Sequence, residues 1–226
     1  MSMKVLDLFS GTGSATQAFL NNGHDVKHLD VIGTPELLID IRKFAKSPEF
    51  YLGDWRPDVI WASPPCTAFS MAGSGSKKNG SRRWDYGKFP FYGPRLPRDE
   101  TARQCCAFVL AALHTIDVLK PMWWRLENPM GGLSTMGFMR DQPGPVIVTY
   151  CQYGERRMKP TFLWGLWPTT WRPRPRCKNG DSCHEAAPRG AKTGTQGIAG
   201  ARDRARVPYA LSNDIKVACE IAFNQV

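Results

Sequence analysis

The sequence predicts an α/β fold with a mostly parallel sheet and helices on both faces. Three observations carry that expectation. Short apolar runs alternate with helical patterns along the chain, as βαβ units require. The first apolar run ends in a Gly-rich turn that opens into a helix, a junction found at the carboxyl edge of such sheets. Residues 99–119 carry the strongest helical pattern of the chain, long enough to cover one sheet face.

Taken in order, residues 4–9 (Lys-Val-Leu-Asp-Leu-Phe) form a short apolar run closed by glycine, hence a buried strand. Residues 15–22 read as a helix stopped by Gly23. Residues 25–30 read as a second strand and 58–62 as a later one. In 99–119 acidic residues occupy the first turn, and Cys106, Val109, Leu110, Leu113, Ile116 and Leu119 share a face. Pro121 lies just past its end. Residues 123–126, 146–150 and 162–164 are further strands, and 215–223 is a closing helix. There is no internal repeat.

The length of 226 residues and 25.3 kDa suits one domain, residues 1–226, rather than two. Hydrophobic content of 42% and charged content of 22% exclude a disordered tail or a fibre. No run of about 18 apolar residues is present, so no membrane span is expected. The first residues lack an apolar signal region, and seven cysteines are an odd count without small-scaffold spacing. Reduced thiols in a cytoplasm are therefore expected.

Charge is the unusual feature. The chain carries +10 with a pI near 9.4. Residues 71–103 contribute +5 and residues 166–208 contribute +6, so the remaining body is almost neutral. Both segments are poor in periodicity. Residues 71–98 are rich in Gly, Ser, Pro, Lys and Arg, and residues 168–208 combine Pro168, Pro173, Pro175 and Pro188 with a Gly-rich stretch. Both read as long loops, a length that in a compact domain points to function or mobility. Their charge points to a polyanionic partner.

Three motifs carry chemistry. The first is Asp7-Leu8-Phe9-Ser10-Gly11-Thr12-Gly13-Ser14, where glycine lets backbone approach a ligand. Asp30 follows at the end of the next strand, where a carboxylate can bind ribose hydroxyls. The spacing is not G-x-G-x-x-G, and such a turn alone can be purely structural. The second runs from Ser63-Pro64-Pro65-Cys66 to Phe69-Ser70. Two prolines stiffen the backbone and hold a cysteine at the sheet's carboxyl edge. Beside cations such a cysteine becomes a nucleophile, whereas a free cysteine is ordinarily a small buried hydrophobe. The third is Glu127-Asn128-Pro129, a carboxylate at a strand end, a position a helix cap or surface acid also fills.

In this order the three motifs resemble the DNA cytosine-5 methyltransferase family. Asp40-Ile41, Tyr153-Gly154, Val207-Pro208 and Ser212-Asn213-Asp214-Ile215 extend the resemblance over nearly the whole chain. It implies a Rossmann-like class I methyltransferase fold with a seven-stranded sheet, S-adenosylmethionine as cofactor, and double-stranded DNA as partner. It implies that Cys66 adds to C6 of a flipped cytosine and that Glu127 binds N3 and the exocyclic amine. C5 then takes the methyl group. On the cofactor side it assigns Phe9, Ser10, Gly11, Gly13, Asp30, Asp40, Ile41, Pro65 and Asn213. Ser70, Arg82 and Arg83 fall on the loop after Cys66, which with its basic part at residues 71–98 resembles the family's mobile loop that closes over DNA.

Three departures stand out. Pro129 replaces the usual valine. The Gln-x-Arg-x-Arg motif falls on Arg157, Lys159 and Thr161, so its last arginine is missing and Lys159 is the expected substitute at the base. The target-recognition region shrinks to residues 166–208, with Arg172, Arg174 and Arg176 as expected phosphate contacts alongside Arg157 and Thr161. A short or relaxed target is expected, as are a monomer and a phage or restriction-modification origin; whether an endonuclease partner exists is left open.

Cys177, Cys183 and His184 offer three metal ligands, but without a second Cys-x-x-Cys pair the sequence is read as a solvated loop and no metal is expected. Trp164, Trp167 and Trp171 interleave with arginines, which suits base stacking or core packing. Rival readings are an amino-methyltransferase using Ser63-Pro64-Pro65-Cys66 without a covalent step, an RNA cytosine-5 methyltransferase, and an inactive nucleic-acid-binding relative.

Overall fold

The computed structural model describes residues 1–70, 83–185 and 200–225. Its centre is β1 (Lys4–Leu8), flanked in parallel by β2 (Asp25–Asp30) and β4 (Val59–Ala62), with Val5 facing Val26 on one side and Val59 on the other. The short β3 (Leu37–Leu38) edges β2, and β7 (Trp123–Pro129) extends the sheet beyond β4. Next comes β9 (Pro160–Trp164), antiparallel to β7 and to the outer β8 (Val146–Thr149). The order is β3-β2-β1-β4-β7-β9-β8, seven strands with one reversed.

Burial on both faces explains why β1 and β4 are almost unbroken apolar runs. Alternate side chains feed two cores. Leu6, Leu8, Ile60, Ala62, Trp124 and Leu126 pack under α4 (Glu100–Leu119) with its Val109, Ala112 and Ile116. Val5, Val59, Trp61 and Trp123 pack on the other face with Leu211, Ile215 and Cys219 of α6 (Tyr209–Phe223). The Asp99 carboxylate caps α4 by accepting from the Ala102 amide at 2.7 Å, and left-handed Lys120 ends it. By length and composition alone α4 is apolar enough to cross a bilayer. In the fold it is the core helix on one sheet face.

Short helices α1 (Gln17–Asn21), α2 (Ile41–Phe44), α3 (Pro48–Leu52) and α5 (Ala201–Ala205) join 3-10 turns at Gly132–Thr135, Gly137–Met139 and Tyr150–Tyr153. The second half of the expected basic loop is instead an antiparallel ribbon, β5 (Trp84–Phe89) with β6 (Gly93–Pro97). Its residues are mostly exposed or half-buried, so no alternation marks it in sequence. Trp84 is buried, donates from its indole to the Ala68 carbonyl at 3.1 Å, and its ring lies 5.7 Å from that of Phe69. The ribbon thereby clamps the segment after Cys66. Residues 71–82 and 186–199, including Arg82, lie outside the described residues.

Candidate active site

The carboxyl edge of the sheet gathers the chemistry. β4 ends at Ala62, and Ser63 continues its ladder by donating to the Leu8 carbonyl at 3.1 Å. After Pro64-Pro65 the chain turns back, with the amides of Phe69 and Ser70 both donating to the Cys66 carbonyl at 2.9 and 2.8 Å. This turn sits on the end of β7. Ser70 bridges Gly131, and a Cβ at Gly131 would lie 2.4 Å from the Phe69 carbonyl oxygen, so only glycine admits the approach.

β7 supplies Glu127 and Asn128, whose side chains point to opposite faces. Asn128 is fully buried and donates to the Pro64 carbonyl at 3.0 Å, tying the strand to the Cys66 turn. Glu127 is buried and accepts a 2.9 Å hydrogen bond from the Tyr150 hydroxyl, at the far end of β8. Lys159, at φ 30°, brings its Nζ to 3.9 Å from Glu127 Oε1 and 4.4 Å from the Tyr150 ring centre. Burial pushes the Cys66 thiol above its ordinary value, the Glu127 carboxylate pushes it further, and Lys159 pulls part of the way back. Burial lowers Lys159 itself, against the pull of Glu127. Burial and the same carboxylate hold Tyr150 protonated, as a donor.

The residues expected on the cofactor side form a second group at the ends of β1 and β2. Phe9 takes φ 62°, an uncommon conformation for a non-glycine residue, and its ring meets Phe108 edge-on at 6.0 Å. Gly11 and Gly13 have φ 53° and 69° and present bare backbone beside half-buried Ser10. The Asp30 carboxylate organises this turn, accepting from Gly11 at 2.9 Å and from Val31 and Ile32 at 2.7 and 3.2 Å. Asp40 caps α2 and pairs with Arg42, so its carboxylate is largely engaged by its own helix. Ile41 is buried in the core beneath that turn, and Pro65 is exposed. Asn213 lies half-buried on α6, whose Ser212 donates to the Ala15 carbonyl at 2.7 Å.

Several expectations change in the structure. Arg157 does not face a nucleic-acid partner: it is buried and bound to Glu155 at 2.8 Å. Thr161 is also fully buried, donating to the Lys159 carbonyl at 3.0 Å, because β9 pairs on both sides there. Arg174 pairs with Asp214 at 2.9 Å and stacks on Tyr153, and Arg83 pairs with Asp99 at 3.2 Å. Arg172 and Arg176 remain exposed. Trp164 and Trp171 are core residues rather than a base-stacking platform, and half-buried Trp167 with Trp171 flanks the buried Arg125 guanidinium at 4.6 and 5.6 Å.

A polar chain runs outward under the Gly turn, from buried Asp7 and Thr16 to half-buried His28 and exposed Glu36. Asp7 accepts from Thr16 at 2.8 Å, Thr16 lies 3.4 Å from His28, and His28 meets Glu36 at 3.0 Å. Burial lifts the Asp7 carboxyl to about 7 despite the Thr16 bond.

The sheet order, the reversed strand and the glycine turn define a Rossmann-like α/β architecture with a mostly parallel seven-stranded sheet. No family model matches the chain. A protein of frog virus 3 (isolate Goorha), described as a probable DNA (cytosine-5)-methyltransferase, is 28% identical over 186 residues, 78% of either chain. The resemblance its motifs carry to the DNA cytosine-5 methyltransferase family therefore holds. Two solved structures are similar at lower identity. A prophage-encoded E. coli protein assigned as a DNA modification methyltransferase gives a TM-score of 0.49 at 18% identity, over 73% of this chain and 47% of its own. The S. pombe Dnmt2 methyltransferase gives 0.44 at 17%, over 72% and 50%. This chain spans about half the length of each of those two structures.

Proposed function

We propose that the chain is an S-adenosylmethionine-dependent methyltransferase acting at C5 of cytosine in double-stranded DNA. The observation that carries the reading is the meeting at one sheet edge of the Cys66 turn, Glu127 and Lys159, with Asn128 locking turn to strand. The cofactor assignment draws support from the bare, left-handed Gly11 and Gly13 and from Asp30 organising their turn. Phe9, Ser10, Asp40, Pro65 and Asn213 would line the same end, and Ile41 would back it from the core. When bound, S-adenosylmethionine supplies an electrophilic methyl group.

The chain's residues account for the rest. A cytosine must leave the duplex to reach Cys66. Glu127, held by Tyr150, accepts from the exocyclic amine and shares a proton with N3. Neutralising that carboxylate removes the strongest charge that keeps Cys66 protonated, so base binding itself favours the thiolate. The thiolate adds to C6, and its electron pair makes C5 nucleophilic. After methyl transfer the C5 proton leaves to a base and the C6–S bond breaks, returning the thiolate. Lys159, beside Glu127, stands where positive charge steadies both Cys66 and the ring.

Arg172, Arg176 and the basic residues after Cys66 would contact phosphates. Several other arginines of the two basic segments are paired within the fold, which narrows the contact set. Bisulfite sequencing of DNA from cells expressing the protein tests activity, base and context together. Conversion-resistant cytosines with wild type and none with Cys66→Ser are expected; methylated adenine or N4-methylcytosine instead would reject C5 chemistry.

A further inference from the structure

Cys151, Cys177, Cys183 and His184 converge on one point at the outer edge of the sheet, with all four ligand atoms within 4.8 Å of one another. We infer that these four side chains form a structural Zn2+ site, closed and distinct from the methyl-transfer centre. Three of the four come from the second basic segment; the fourth, Cys151, lies 26 residues before Cys177, in the 3-10 turn Tyr150–Tyr153 that follows β8.

The distances fit the metal. A tetrahedral zinc with Zn–S of about 2.3 Å and Zn–N of about 2.0 Å needs S···S edges of about 3.8 Å and S···N edges of about 3.5 Å. Here Cys183 Sγ lies 3.7 Å from Cys151 Sγ, and His184 Nδ1 lies 3.6 and 3.7 Å from the sulfurs of Cys183 and Cys177. Cys151 and Cys177 are closer, at 3.1 Å, a gap a central cation would widen slightly. A disulfide needs only two of these groups and leaves a third sulfur and an imidazole gathered for no reason. Cys177 is buried, which is also not the behaviour of a solvated loop.

The surroundings suit a thiolate site. Three thiolates and a neutral imidazole around Zn2+ leave one net negative charge, set in the most basic segment of the chain. The Gln152 side-chain amide donates to Cys183 Sγ at 3.2 Å, an outer hydrogen bond of the kind that supports metal–thiolate ligands. Four protein ligands leave no open position, so the role is structural. The metal would fasten residues 177–185 to the turn whose first residue, Tyr150, holds Glu127. On binding, each thiol gives up its proton as the metal–sulfur bond forms.

Metal content decides this independently of methyl transfer. Full-length protein purified without chelator is expected to carry one zinc per chain by elemental analysis. Cobalt exchanged into the site is expected to give a thiolate-to-cobalt charge-transfer band. Removing the metal is expected to lower Tm by on the order of 10 °C. Cys183 is exposed, so Cys183→Ser leaves the core intact yet loses most of the zinc; Cys106→Ala, on α4, keeps it. A well-folded wild type with less than about a tenth of an equivalent of zinc after growth with zinc, or a Cys151–Cys177 disulfide found by mass spectrometry, overturns the inference.

Discussion

Replacing Tyr150 by Phe removes one oxygen and with it the 2.9 Å bond from the phenol to Glu127 Oε1. Both residues are buried, so water does not replace it. A hydrogen bond to a charged group contributes about 1.5–3 kcal/mol, equivalent to roughly 10- to 150-fold in rate if it is used only as the reaction proceeds. Lys159 still holds the same oxygen at 3.9 Å, which places the expected loss near the lower end, about 10- to 30-fold in kcat. Single-turnover transfer of a radiolabelled methyl group to DNA measures it, alongside calorimetric binding of S-adenosylmethionine, which under the proposed function falls to the Gly turn and which is expected to stay unchanged. A rate within twofold of wild type would remove Tyr150 from the account. An equal weakening of cofactor binding would show a general structural defect instead.

Glu127→Gln is expected to move two readouts in opposite directions: methyl transfer collapses, while iodoacetamide alkylates Cys66 in the DNA-free protein several-fold faster at pH 8, because a charge that disfavours the thiolate is gone. Lys159→Met is expected to slow the same alkylation, since its cation favours the thiolate. Asp7 gives a pH signature. Its carboxyl sits at about 7 folded against 3.8 in its ordinary state, so the folded protein keeps a proton the unfolded chain has lost. The contribution of Asp7 to stability is therefore full below about pH 4 and falls as pH rises to about 7, by at most about 4 kcal/mol. Asp7→Asn is expected to flatten the dependence of denaturation midpoint on pH across that window and to raise the midpoint at pH 8; an unchanged slope would discard the assignment. Gly131→Ala forces a Cβ into the Phe69 carbonyl and is expected to depress methyl transfer at least tenfold, with a smaller loss of cofactor affinity. DNA binding is expected to weaken steeply with salt, Arg172→Ala or Arg176→Ala each lowering the log–log slope by about one.

The strand ends were legible in the sequence because their signals are local. Glycines after an apolar run marked the Phe9 turn, two prolines after another marked Cys66, and both lie where the pattern puts them. Glu127 was legible as a strand-end carboxylate, although β7 runs on to Pro129 and so carries it inside the ladder. What stayed hidden depends on contacts between distant segments. Tyr150 reads as the last residue of a strand, and nothing near it announces Glu127, 23 residues away. Trp84 lies in a stretch whose glycine, proline and charge content reads as loop, because a two-stranded ribbon with exposed faces lacks the alternation that burial imposes. A motif position also says little about burial: Arg157 and Thr161 match positions expected to meet nucleic acid, yet pairing of β9 on both sides encloses Thr161, and Glu155 draws Arg157 inward. Cys151 was missed as a fourth metal ligand for the same reason, standing in a different element from Cys177, Cys183 and His184.

The central claim is that Cys66 attacks the base. Duplex DNA containing 5-fluorocytosine tests it most directly, since fluorine at C5 cannot leave as a proton and the adduct persists. With S-adenosylmethionine present, a protein–DNA band stable to denaturation is predicted for wild type and none for Cys66→Ser, with the modified peptide containing Cys66. Full methyl transfer by Cys66→Ser, or the absence of any trapped complex from an active wild-type preparation, would contradict the covalent mechanism.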